Sequence, residues 1–486
     1  MTNQLSEEQV RLERLASLEN QGINPYPDHC DRKNTTAEAK NSPTGAKVVV
    51  AGRLIAKREM GKICFSHIQD ESGKLQIAFS EKELGKDGYK FFLKNYDLGD
   101  FVEVTGEMFT THKGEITVLA KKYILLAKAL LPLPEKFHGL ADVELRYRQK
   151  YLDLLANEEA MKIAKMRSAI VRNLRAYFDD KGFIEVETPI LQSLYGGAAA
   201  KPFITHHNAL NADFYLRIAP ELYLKRLIVG GLEKVYEIAK CFRNEGIDNN
   251  HNPEFTQIEF YLAYANYNDL MDLIEELLPK IIKSVDLSLK MEINGQKVDF
   301  TPPYPRATMR ELIKKYAKID IEKYPDQKSL FAQAKKLKIE GINAKTGYGK
   351  LVDEIYKTFV RPKIVDPIFM IDHPVELSPL AKTKPDNPKY VERMQLLCAG
   401  GNELCNGFSE LNDPIEQEKR FKEQERLRKA GDEEGMPYDE DFIIALKHGM
   451  PPTAGLGMGI DRLVKLLTNS QNLKEVILFP TLKPEK

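Results

Sequence analysis

Residues 235–262 read VYEIAKCFRNEGIDNNHNPEFTQIEFYL. Two runs of strand character flank a polar segment. The first, Val235 to Arg243, is rich in β-favouring residues and ends on a cation. The second alternates. Phe255, Gln257, Glu259 and Tyr261 fall on one face, and Thr256, Ile258, Phe260 and Leu262 on the other. The second set is a core face. The first sets a ring, an amide, a carboxylate and a phenol in one row. The intervening NEGIDNNHNP is too long for a tight hairpin and consists of loop formers. A polar loop carried on a rigid hairpin is where ligand contacts collect, although a plain solvated hairpin has the same pattern.

Downstream, Gly455-Leu456-Gly457-Met458-Gly459 precedes Ile460-Asp461-Arg462-Leu463. Alternate glycines on one strand face leave a bare backbone floor on which a planar base can lie, and the following helix brings Arg462 to its start. The run is no dinucleotide fingerprint, because Ile460 stands where the last Gly belongs. Asn406, Phe408 and Glu410 alternate onto one face of another strand. Glu403 is out of phase with them and needs a bulge to point the same way, for which Gly400-Gly401 offers room. Upstream, Pro220 suits a first helical position and places Glu221 at a helix N-terminus. Glu221 is then a structural cap or an anionic wall for a cationic substrate. Gly196-Gly197 permits close approach of backbone to ligand and lacks the Gly-Lys-Ser/Thr of a Walker loop. The adjacent His206 and His207 would point to opposite faces of a strand, which argues against a metal pair.

Nothing in the bulk numbers conflicts with an enzyme of two or three domains. The chain has 486 residues, 43% hydrophobic and 29% charged, which excludes wholesale disorder. Its 71 cations and 71 anions balance, so any nucleic-acid site must be local. Five cysteines form no CxxC and no zinc spacing, as expected of free thiols in a reducing cytosol. The opening residues carry no apolar signal region and no apolar run has the length of a membrane span. The expectation is a soluble, cytoplasmic protein with no membrane partner.

The pattern predicts an α+β chain. Residues 1–46 read as a helical arm, with Leu5, Val10, Leu12, Leu15 and Leu18 as a thin apolar stripe. Strand-like runs near 47–56, 63–69, 74–80, 101–109 and 115–124, with a helix after the third, match a five-stranded OB-fold barrel over 47–128. Residues 129–150 read as a linker stiffened by Pro132-Leu133-Pro134, and 151–486 as a larger domain with a helical insertion near 265–350. On the barrel, Phe65 and Gln76 suit stacking and edge reading of an unpaired base, although Phe65 as a core residue is the simpler reading of the pattern.

Phe242-Arg243-Asn244-Glu245 with His251-Asn252-Pro253-Glu254-Phe255 resembles motif 2 of class II aminoacyl-tRNA synthetases. The 160–189 helix, strand and Pro resemble motif 1, and the Gly455–Arg462 run resembles motif 3. The likeness extends over nearly the whole chain and is closest to bacterial-type lysyl-tRNA synthetases of class IIb. It implies an antiparallel catalytic sheet flanked by helices, an OB-fold anticodon-binding domain, and a homodimer. It implies lysine, ATP and tRNA(Lys) as substrates, Mg2+ as cofactor, and no DNA partner. The activity implied is formation of lysyl-adenylate and transfer of lysyl to the terminal ribose of tRNA.

Residue by residue, the resemblance assigns Gly197, Glu221, Glu259, Tyr261, Asn406, Phe408 and Glu410 to lysine. Arg243, Glu245, His251, Asn252, Phe255, Glu403 and Arg462 go to ATP, with Arg243 and Arg462 catalytic. Arg58, Phe65 and Gln76 go to RNA, and Glu403 and Glu410 are the metal-ligand candidates. One departure stands out. The family's second metal-binding Glu lies seven positions before the first, and here Leu396, beside Gln395, holds that place. The alternatives are an aspartyl- or asparaginyl-type synthetase and a non-charging RNA-binding paralogue.

Overall fold

The computed structural model describes residues 6–133, 140, 142–429 and 435–485, and the chain divides into two units, Met1–Ala141 and Asp142–Lys486. In the first, β1 (Lys47–Met60), β2 (Ile63–Gln69), β3 (Lys74–Ser80), β4 (Phe101–Thr110) and β5 (Ile116–Ala127) close a barrel in the order β1-β2-β3-β5-β4. The helix Glu81–Asn95 joins β3 to β4. Inward residues such as Val50, Ile68, Ile77 and Val104 form the barrel core, and Phe92 of the helix stacks on Phe79. The expected OB-fold plan is observed.

The arm is part of this unit. Its helix Glu7–Asn20 begins at a Ser6/Gln9 capping box and buries Leu18 in the barrel core. Of the rest of the expected stripe, Val10 and Leu15 are half-buried. Leu12 is exposed, and Arg11 is buried instead, donating to the carbonyls of Leu98, Ala129 and Leu131. A guanidinium can satisfy several buried carbonyls at once, which periodicity in apolar residues cannot reveal. Leu5 and Pro134 lie outside the described residues. The expected linker is also shorter than its sequence suggests, because Val143–Arg148 and Lys150–Ala156 are helices of the second unit.

The second unit carries strands β6–β18 in chain order, eight of which form its main sheet. The strands are β6 (Ile184–Glu185), β7 (Leu191–Gln192), β8 (Ile204–His207), β9 (Ala212–Leu216), β10 (Lys234–Phe242), β11 (Glu254–Ala263), β12 (Lys290–Ile293), β13 (Gln296–Asp299), β14 (Arg306–Thr308), β15 (Ile368–Pro374), β16 (Tyr390–Cys398), β17 (Asn402–Ser409) and β18 (Thr453–Gly459). The sheet order is β14-β15-β16-β17-β18-β11-β10-β6; β7-β9-β8 form a small sheet and β12-β13 a hairpin. Pairing is antiparallel except at the two edges, β14/β15 and β10/β6. One sheet face packs Ile258, Phe260, Leu456 and Met458 against the helices Glu158–Asp180 and Tyr267–Ser284 through Phe178, Leu270 and Ile274.

The helical insertion has its own core, including Leu312, Leu330, Val352 and Ile355, and it runs past residue 350 to the end of the helix Tyr348–Phe359. The predicted span also contains the β12-β13 hairpin and β14, a short parallel edge strand, ahead of this helical core. No helix among the described residues is long and apolar enough to cross a membrane, and all five cysteines are free.

Candidate active site

The second face of the sheet carries the site. β11 lies between β10 and β18, with Glu259 opposite Glu237 on one side and Gly457 on the other. Tyr261 faces Gly455 and Gln257 faces Gly459. The predicted polar row therefore lies beside the predicted glycine floor. β17 flanks the floor on its far side, pairing Asn406 with Gly457 and Phe408 with Gly455.

A loop and a helix end close one end of this floor. Arg243 donates its backbone N–H to the Pro253 carbonyl at 2.8 Å, which shuts the base of the 244–252 loop. Its guanidinium lies 5.0 Å from the centre of the Phe255 ring. The loop is tethered to the helix Ile460–Leu467 by Lys465, which donates to the Asn250 side chain at 2.6 Å, and by a 3.5 Å contact between Arg462 and His251. Asp461 fixes the helix start. It accepts from the Thr256 N–H at 2.8 Å and pairs with Arg167 at 2.6 Å. Glu245 and His251 are exposed, and Asn252 is buried with its amide donating to the Glu254 carbonyl.

At the other end is a buried acidic slot. Gly197 has φ +84°, and a Cβ there would sit 2.9 Å from Glu221 Cβ, so only glycine lets that segment pass the Glu221 helix. Pro220 caps that helix and Glu221 is its first residue. Glu221, Glu259, Tyr261 and Glu410 are all buried. Tyr261 donates to Glu259 at 3.2 Å, and Gln257 donates to it at 2.6 Å.

One member of the slot was not in the sequence-derived set. Lys225 is fully buried, donates to Glu221 at 2.6 Å, pairs with Glu410 and lies over the Phe408 ring at 5.3 Å. Burial raises the pKa of both Glu221 and Glu410. Burial opposes the Lys225 charge, but its two carboxylate partners outweigh that and keep it an ammonium. The i,i+4 spacing of Glu221 and Lys225 on a helix was the available signal.

Burial, with the Glu221 charge adding to it, pushes the Glu259 carboxyl up to about 8. The folded protein then holds a proton that the unfolded chain releases near its ordinary value of about 4.3. That contribution to stability is complete below the unfolded pKa and is lost as the pH rises through the folded one. Glu259→Gln removes the linkage. Its stability relative to the unsubstituted protein should therefore climb between about pH 4.5 and 8, by an amount on the order of a few kcal/mol. Thermal melts in which the difference stays flat over that window would refute a protonated Glu259.

Glu403 reaches the site through a bulge. Pairing runs Leu396 to Cys405 and then Leu397 to Glu403, which leaves Leu404 unpaired and sends it into the core. The bulge is on β17 itself and not at Gly400-Gly401, which lie in the turn. Glu403 lines a cavity of about 190 Å3 with Asp353, Lys357, Arg361, His373 and Gln395. Gln395 donates to Glu403 at 2.9 Å and contacts His373 at 3.1 Å. Burial, reinforced by the Arg393 charge, depresses His373 to about 3, leaving it neutral. Gln395, and not Leu396, thus occupies the position beside Glu403. The metal assignment of Glu410 needs correction. It lies seven positions along the chain from Glu403, roughly 20 Å at the usual strand rise, and it is engaged by Lys225. One ion cannot use both. No group of three or more His, Cys, Asp or Glu side chains able to hold a metal occurs among the described residues. A site of one carboxylate suits magnesium that keeps its waters and substrate phosphates as its other ligands.

On the barrel, β2 alternates with Cys64, Ser66 and Ile68 inward. Phe65 faces outward opposite Arg58, which is exposed. Gln76 lies opposite His67, donates to Glu115 at 2.8 Å and accepts from Thr117 at 2.7 Å. Phe65 is therefore not a core residue.

Residues 142–483 match the family model "tRNA synthetases class II (D, K and N)" and residues 48–126 match "OB-fold nucleic acid binding domain". The chain belongs to the class II tRNA synthetases of that D, K and N group. Among its relatives, the lysine–tRNA ligase of Dehalococcoides mccartyi is 50% identical, covering 97% of this chain and 96% of that protein. The lysine–tRNA ligase of Pelotomaculum thermopropionicum is 49% identical over 98% and 95%, and that of Moorella thermoacetica 48% over 98% of each.

Proposed function

We propose that this chain is a lysine–tRNA ligase. It activates lysine with ATP and passes lysyl to the terminal ribose of tRNA(Lys). The observation that carries the reading is the buried acidic slot of Glu221, Glu259 and Glu410, set at the end of a glycine floor flanked by Arg243 and Arg462. A long ammonium side chain satisfies such carboxyls, aspartate is repelled, and a neutral amide would leave a buried carboxylate unpaired. The substrate carboxylate is ionised at neutral pH and attacks the α-phosphorus without a general base. Arg243 meets the α-phosphate, and Arg462, standing over the Gly459 end of the floor, covers the base and reaches phosphate. Magnesium held at Glu403 would supply positive charge on the ATP phosphates. Phe255, Glu245, His251 and Asn252 frame the nucleotide, and Gly197, Tyr261, Asn406 and Phe408 shape the lysine slot.

ATP–pyrophosphate exchange with each amino acid, with and without tRNA, tests the reading. Lysine alone should support exchange. Exchange with aspartate or asparagine would favour the sister specificities, and none with any amino acid would favour a non-charging paralogue.

The barrel face of Arg58, Phe65 and Gln76 is proposed to read the anticodon loop. Phe65→Ala should lower tRNA charging about 10-fold or more, as expected for loss of a base-stacking ring, and leave lysine-dependent exchange intact. Equal loss of both would remove the assignment. The protein is proposed to be a cytoplasmic homodimer. Supporting this, the edge strand β6 leaves Ile184 49% exposed, with Ile190 and Leu191 also exposed nearby. Light scattering at micromolar concentration should give the mass of two chains, and a single-chain mass would refute it.

A further inference from the structure

The lysine slot contains a lysine of its own. The Lys225 ammonium is wholly buried, donates to Glu221 at 2.6 Å, pairs with Glu410 and faces the Phe408 and Phe442 rings at 5.3 and 5.9 Å. Glu410 is buried; its Oε2 meets Lys225, and its Oε1 has no hydrogen-bond partner among the described residues. Buried carboxylates keep their charge only against a cation. Three carboxyls line the slot, and one protein cation sits among them. A second cation, Arg393, adds a favourable charge at Glu221 but makes no ion pair with the slot carboxyls among the described residues. It donates to the Asn406 side chain at 2.8 Å and to the Leu377 carbonyl.

We propose that Lys225 is a specificity-determining residue of the slot, a built-in cation that answers one of its three carboxyls and ties Glu221 to Glu410 at a fixed separation. Two carboxyls then remain unanswered. Free lysine carries two ammonium groups, on its α-carbon and at the end of its side chain. Lysine balances the slot, whereas an amino acid with one ammonium leaves a buried carboxyl unmatched. Lys225 touches no reacting atom, so its effect belongs to lysine binding and not to the chemical step.

This inference rests on the lysine-ligase reading, and the test separates the two. The unsubstituted enzyme is assayed first; absence of lysine-dependent ATP–pyrophosphate exchange defeats that reading. Given such exchange, Lys225→Ala should raise the KM for lysine about 30-fold while the ATP KM moves less than about 2-fold. Propylammonium, which replaces the deleted atoms and charge, should recover much of the lysine affinity, and the neutral isostere propanol should not. A folded Lys225→Ala variant with unchanged lysine KM, or with a raised KM that propylammonium does not lower, overturns the proposal. If Lys225→Ala does not fold, Lys225→Met keeps the length and removes the charge. A packing role alone would leave its lysine KM unchanged and overturn the proposal, and a selective rise in lysine KM supports it.

Discussion

Arg243→Ala slows lysine-dependent ATP–pyrophosphate exchange by about 1,000-fold or more, as expected when a preorganised charge on a phosphoryl transition state is removed. The side chain is held for that task. Its backbone is tied to Pro253, its guanidinium lies beside the Phe255 ring, and its buried Nε has no partner among the described residues. The reaction asks little of the protein beyond placement and positive charge, and Arg243 is the group placed at the α-phosphate. Arg243→Lys should recover only a small part, since a point charge cannot reproduce the planar fork or the ring contact. Steady-state exchange rates with a thermal melt provide the check. A loss under about 10-fold in a folded variant would show that the α-phosphate is handled elsewhere.

Gly455→Ala abolishes effective lysine binding while leaving ATP binding much less affected. Gly455 lies between Tyr261 of β11 and Phe408 of β17. A Cβ there would overlap both the Tyr261 ring and the Glu410 carboxylate. Both groups belong to the slot and both are buried, so neither can turn out to solvent. Overpacking of this kind costs about 1–3 kcal/mol of stability, and the displaced carboxylate should raise the lysine KM about 100-fold. Gly457→Ala is the control. Its Cβ would meet Glu259 at 3.5 Å, an ordinary contact, and its melting temperature should change far less. Equal lysine KM values for the two variants would show that Gly455 does not shape the slot.

The face of β11 that carries the chemistry was legible because strand geometry makes side chains alternate. Ile258 and Phe260 lie in the core, and Gln257, Glu259 and Tyr261 lie on the other side, as the spacing predicts. The glycine floor and the barrel plan were legible for similar local reasons: missing side chains and strand-sized runs are written into consecutive residues. Glu403 was legible only as a problem of phase. Its solution, an unpaired Leu404, depends on which residue of β17 the neighbouring strand skips. Gln395 could be seen as a departure, but its bond to Glu403 required the same pairing. Glu410 was given to a metal as well as to the slot, because sequence does not measure the distance from Glu403.

By itself the sequence determined the family, the two-part α+β plan and the residue types that meet ATP and lysine. Those properties reside in short-range patterns and in motifs that a chain carries whether or not it is folded. Tertiary structure alone decided that Lys225 joins Glu221 to Glu410, that Asp461 reaches Arg167 and Thr256, and that Arg11 lies where an apolar stripe was expected. Most of these pairs are separated by tens to hundreds of positions. A buried charge is stable only where folding brings its counter-charge or acceptors, and that partner is chosen in space and not along the chain.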